Sequence, residues 1–167
     1  MTYTYIMNTS SSFTITTTNK LNNEFTTEYD GDEAYAISII DTFKETYLTS
    51  IREPYLAYIR GYFQDIIDKD KKRYTRYELE TFSIQQTEWI KWNADNTVVT
   101  PFCDALAAGR GVDRLVLLNK VGTKILEISS FLGKQHMFED LLNGATSEEE
   151  IKAIRLPFSQ KFRELGA

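Results

Sequence analysis

The sequence predicts a mainly α protein, a small antiparallel helical bundle with one long kinked helix and a β-hairpin arm at its N-terminus. Two observations carry that expectation. From Asp32 to Asp68 the apolar residues Ile37, Ile40, Phe43, Tyr47, Ile51, Tyr55, Ile59, Tyr62 and Ile66 recur in steps of three or four, which aligns them along one face of a helix. Residues 1–30 are different in kind: threonine-rich, with β-branched and aromatic runs, and with Lys20 as the only charged side chain before Glu24. The chain is therefore expected to divide into a Thr-rich β arm over 1–30 and a helical domain over 31–167.

In the arm, Thr2–Met7, Phe13–Thr18 and Glu24–Tyr29 read as two or three strands separated by Asn and Ser clusters. A lone hairpin is marginal in water, so the strands must pack on the helices or pair with another chain. Thr2–Met7 and Phe13–Thr18 carry no charge to blunt an open edge. The expectation is that a partner completes the arm, and that a chain lacking residues 1–23 keeps a folded helical core.

The long helix holds its phase across Pro54, which predicts a kink rather than two separate helices. Thr75-x-x-Glu78 is a capping box for a second helix whose face is Leu79, Phe82, Gln86, Trp89 and Ile90, ending near Asn93. Thr100-Pro101 opens a short helix that stops at Gly109-Arg110-Gly111. From Asp113 a longer helix follows, with the stripe Leu115, Leu118, Val121, Ile125, Ile128 and Leu132. Met137 and Leu141 argue that it passes Gly133 and runs to about Leu142. Thr146-x-x-Glu149 and Ser147-x-x-Glu150 both offer a cap for a last short helix, and a weak helix is expected over Phe158–Leu165.

Composition excludes several kinds of chemistry. A net charge of −5 argues against broad attraction to nucleic acid or anionic membrane. The N-terminus does not read as a signal peptide, and apolar runs are too short for a membrane span. Cys103 is the single cysteine and His136 the single histidine, so neither a disulfide nor a histidine-based acid–base or metal cluster is expected. No Gly-rich loop follows a strand, so no phosphate cradle is offered. The chain is expected to be no enzyme and to use no cofactor or metal. Glu148, Glu149 and Glu150 suit a helix start through the helix dipole.

Two patterns suggest nucleic acid. Lys69, Lys71, Lys72, Arg73 and Arg76 interleave with Tyr74 and Tyr77, as in single-strand binders. Asp68, Asp70, Glu78 and Glu80 dilute that cluster, which reads better as a solvated helix connection. The turn within 106–118, Leu106-Ala-Ala-Gly-Arg-Gly-Val-Asp113 and the helix after it, resembles a helix-turn-helix, but Arg114-Leu-Val-Leu-Leu is too apolar for base edges. A nucleic-acid-binding regulator is thus the alternative, not the preferred reading. All ten tyrosines precede residue 78, and tyrosine suits partly wet interfaces. The candidate interface is Tyr3, Tyr5, Phe13, Tyr47, Tyr55, Tyr58 and Tyr62.

Trp92, Ala94, Asp95, Thr100-Pro101, Asp104, Leu106, Ala107, Gly111-Val112, Leu115, Leu118, Ile125, Gly133 and Ala145-Thr146 leading into Glu149, Glu150 and Ile151 resemble the C-terminal helical segment of small tail-associated proteins of tailed bacteriophages, including some of the tail-fibre-assembly type. The likeness spans residues 92–154 and brings no catalytic residues. It implies a structural component of a virion (tail, baseplate or neck) made in the host cytoplasm, or alternatively a tail assembly chaperone. The partners it implies are other virion or tail proteins, with the chain in a homo-oligomer or a larger assembly, and no membrane.

Overall fold

The computed structural model describes residues 1–156. It is mainly helical, with three strands and five helices in the order β1 (Thr2–Thr9), β2 (Ser12–Thr18), β3 (Glu24–Asp30), α1 (Glu33–Lys71), α2 (Arg76–Ala94), α3 (Pro101–Arg110), α4 (Arg114–Gly144) and α5 (Glu148–Ala153). The helix expected over Phe158–Leu165 lies outside the described residues. No described helix is long and apolar enough to cross a membrane.

By its contacts the chain forms two compact units, one of residues 1–55 together with the chain from Leu142, the other of residues 56–141. The three strands and the first part of α1 thus fall in one unit. The reason lies in the first unit's core. β1, β2 and β3 form one antiparallel sheet in that order, with Tyr5 opposite Ile15, Met7 opposite Phe13, and Phe13 opposite Tyr29. Alternation sends these residues to one face. There Phe13 and Ile15 are buried with Ala36 and Ile40 of α1, and Tyr3, Tyr5, Met7, Tyr29 and Phe43 pack around them. The threonines Thr4, Thr14 and Thr16 occupy the alternate positions, and β1 and β3 remain as edges. The inner face of the arm is thus completed by the chain itself.

The stripe on α1 follows the sequence with a slight turn of phase. Ala36 rather than Ile37 begins it, and Leu56, Ile59 and Phe63 are the buried residues of its second half. Pro54 lies inside the helix, one residue before the change of unit. The capping box of α2 is present in full, with Thr75 accepting from the Glu78 amide and Glu78 from the Thr75 amide at 2.8 Å. The buried face of α2 is Phe82, Gln85, Trp89 and Trp92, not the expected line through Gln86 and Ile90, which are exposed. In the second unit Trp89, Trp92 and Leu106 pack around buried Cys103, Ala107, Leu117 and Leu118.

Thr100 precedes α3 but makes no side-chain cap. Its hydroxyl donates to Asp104, and the open amides of Phe102 and Cys103 donate instead to the Glu88 carboxylate of α2 at 2.9 and 2.8 Å. A carboxylate on a helix N-terminus is favoured by charge as well as by hydrogen bonds. Gly111 ends α3 at φ 63°, with its own amide on the Ala108 carbonyl and that of Val112 on Ala107, a Schellman closure. A β-branched residue is strained there, so Gly111→Val should cost about 1 kcal/mol or more. The exposed Arg110→Ala should leave stability nearly unchanged. Urea unfolding of both variants checks the pair.

The single stripe expected on α4 is not what packs. Leu117, Leu118, Val121 and Ile125 face inward in the first half, but Phe131, Gln135 and Phe138 do so in the second. The phase changes because the neighbours change. Gly122 lies under the Trp89 ring, whereas Phe131 meets Phe63 of α1 with ring centroids 4.6 Å apart. Gly133 sits inside the helix. Of the two possible caps for α5, Ser147 is the one used, accepting from the Glu150 amide at 3.1 Å.

Candidate functional site

The residues proposed from sequence as one interface do not share one environment. Phe13 is completely buried, stacked on Tyr29 at 5.4 Å between centroids, and is core. Tyr3 and Tyr5 pack on that core, and the Tyr5 hydroxyl donates to Glu33 at 2.7 Å. Tyr55 is half-buried at the end of the first unit. Tyr58 and Tyr62 belong to the second unit and stack on each other at 6.4 Å.

Tyr47 has a more specific place. Its hydroxyl donates to Glu148 Oε2 at 2.5 Å, across 101 positions of sequence. Glu148 Oε1 also meets Lys152 Nζ at 2.8 Å and the Lys20 ammonium. Three side chains, from α1, α5 and the turn after β2, thus converge on one buried carboxylate. Lys152, Lys20 and the Tyr47 hydroxyl, in that order, hold the Glu148 carboxyl down at about 2. Burial first, and then the bond to Glu148, push the Tyr47 phenol up to about 12. Beside this cluster Arg52 donates from Nε to the Leu142 carbonyl at 3.0 Å and from Nη2 to that of Ala145 at 3.1 Å, closing the C-terminal end of α4. Every partner here is internal. The arrangement fastens α5 and the turn after β2 to α1.

A depressed carboxyl stabilises the fold above its ordinary value and loses that effect as pH falls through the folded one. The window for Glu148 therefore runs from about 4.5 down to about 2. After discounting for the exposed lysines, Glu148→Gln should lose about 2 kcal/mol at neutral pH. At the acid end of that window the variant should match the wild type. Urea unfolding across the window checks both ends.

Cys103 is fully buried, and burial together with the nearby Glu88 pushes its thiol up to about 12. A thiol held protonated in this way is a poor nucleophile. Among the described residues no group of three or more His, Cys, Asp or Glu side chains could hold a metal ion.

At the helix-turn-helix-like turn, Arg114 is committed within its own unit, to Asp104 at 2.8 Å, Thr100 Oγ1 at 3.1 Å and the Val98 carbonyl. The next residues, Leu115 and Val116, are exposed apolar side chains. They begin a feature that periodicity misassigned. Leu115, Leu126, Met137 and Leu141 share one side of α4, at 50, 63, 48 and 50% exposure. The first three recur three helical turns apart, so they form a line along the helix. Five of the apolar residues read as the core stripe of α4 (Leu115, Ile128, Leu132, Met137 and Leu141) are in fact outside.

No protein-family model matches this chain. No curated protein and no solved structure matches it either.

Proposed function

We propose that the chain is a non-enzymatic structural component of a bacteriophage virion, in its tail, baseplate or neck, and that it acts through protein–protein contacts. The observation that carries this reading is the outer face of α4. A helix of 31 residues that keeps Leu115, Leu126, Met137 and Leu141 in water is costly unless another surface covers them. The two uncapped sheet edges add a second means of contact. The resemblance of residues 92–154 to small tail-associated phage proteins supplies the kind of assembly, and the contacts of Arg114 weigh against the DNA-reading alternative. In this reading the helices form a small antiparallel bundle, and α1 bends at Pro54.

Leu126→Glu combined with Met137→Glu tests the reading. Both side chains are exposed, so circular dichroism and the melting temperature should stay close to wild type. Association with the partner, or with further copies of the chain, should fall by at least about a hundredfold, the scale of losing two apolar anchors. Unchanged association, measured by light scattering and by incorporation into particles, contradicts it.

A further inference from the structure

The basic run at the end of α1 lines a cleft inside the second unit. The walls come from the last turns of α1, the first turns of α2 and the middle of α4, and the volume is about 840 Å³, within the range of small-ligand sites. Ile66, Phe82 and Phe131 contribute half-buried apolar surface, and Ile128 stands more open on the wall formed by α4. Lys69, Lys71 and Arg73 lie on the exposed side. The two carboxylates of the lining are already engaged: Asp70 meets Lys124 at 2.6 Å and Arg73 at 3.8 Å, and Glu127 meets the same Lys124 at 3.8 Å. Lys69 and Lys71 make no ion pair among the described residues. An excess of positive charge therefore borders an apolar cleft, in a chain whose net charge is −5.

We infer that this cleft binds an organic anion with a large apolar body, the chemistry of a long-chain carboxylate. The body lies against Ile66, Phe82, Ile128 and Phe131, and the carboxylate meets Lys69 and Lys71. Charge complementarity selects the anion, because the cations of the lining outnumber its carboxylates and two of them make no ion pair among the described residues. The apolar lining selects a hydrocarbon body over an extended peptide, whose backbone amides and carbonyls would find no hydrogen-bond partners against it.

Calorimetric titration of the full chain with dodecanoate, and with dodecyltrimethylammonium as the same body of opposite charge, tests this below the micellar range of each. One dodecanoate should bind per chain, at least about tenfold tighter than the cation, the scale of a charge-assisted contact. Lys69→Glu combined with Lys71→Glu should reverse that preference. Ile128→Asn should weaken both ligands by about tenfold or more with circular dichroism unchanged. If Ile128→Asn fails to fold, Ile128→Trp, which fills the cleft, should give the same loss. Absence of one-to-one binding, equal affinity for the two ions, or binding untouched by the variants overturns the assignment.

Discussion

Gly122→Val should destabilise the second unit by about 3 kcal/mol or more, the upper range for overpacking a closed contact. A Cβ at this position would stand 2.4 Å from Trp89 Nε1 and within 2.6 Å of two ring carbons. The ring cannot step aside cheaply, because it packs on the cluster of Cys103, Ala107, Leu117 and Leu118. Gly133 is the internal control. It lies in the same helix with nothing within 4 Å of its would-be Cβ. There the gain in helix propensity acts alone, and Gly133→Ala should stabilise by about 0.5–1 kcal/mol. Thermal unfolding of the two variants should therefore shift in opposite directions. Equal shifts would mean that α2 and α4 do not approach across Gly122.

Deleting residues 1–23 should unfold the first unit, contrary to what the sequence suggests. Phe13 and Ile15 are 0 and 2% exposed and are buried directly with Ala36 and Ile40. Their loss removes roughly 2–3 kcal/mol of burial each and also exposes one side of α1. Lys20 leaves the Glu148 cluster in the same step. Against a total stability of roughly 5–15 kcal/mol, little margin would remain. Hydrogen exchange should show protection lost over residues 33–55 and 142–153, while 56–141 keep theirs. Full protection of 33–55 in the truncated chain would show that the sheet is dispensable and restore the view of it as a detachable arm.

The contrast between these cases shows what a single sequence exposes. Local rules were legible. Thr75 and Glu78 cap a helix within four residues, Gly111 provides a left-handed turn, and the α1 stripe survives to within one position. What depended on distant neighbours was not. Glu88 caps α3 from another helix, and nothing near Thr100 announces that. The Glu148 carboxylate bonds across as many as 128 positions, to Lys20, so by sequence it reads as one more acidic residue at a helix start. On α4, Leu115, Ile128, Leu132, Met137 and Leu141 fit a core period, yet the helix changes neighbours midway and its apolar residues exceed what one face can bury. Periodicity finds a helix surface; it does not say whether the chain itself or a second protein covers it. The lysines at the end of α1 were legible as a charge cluster, but the apolar cleft beside them is assembled from three helices.

We propose that other proteins of a phage particle cover this chain along the outer face of α4. Lysine cross-linking and mass spectrometry of purified particles test it directly, because Lys120 and Lys134 are exposed on α4 and reachable by reagent. The chain should be found among the particle proteins, with cross-links from Lys134, which borders the line of Leu126, Met137 and Leu141, to another polypeptide or to a second copy. Absence of the chain from finished particles but presence on assembly intermediates would mark a chaperone instead. Absence from both would contradict the account.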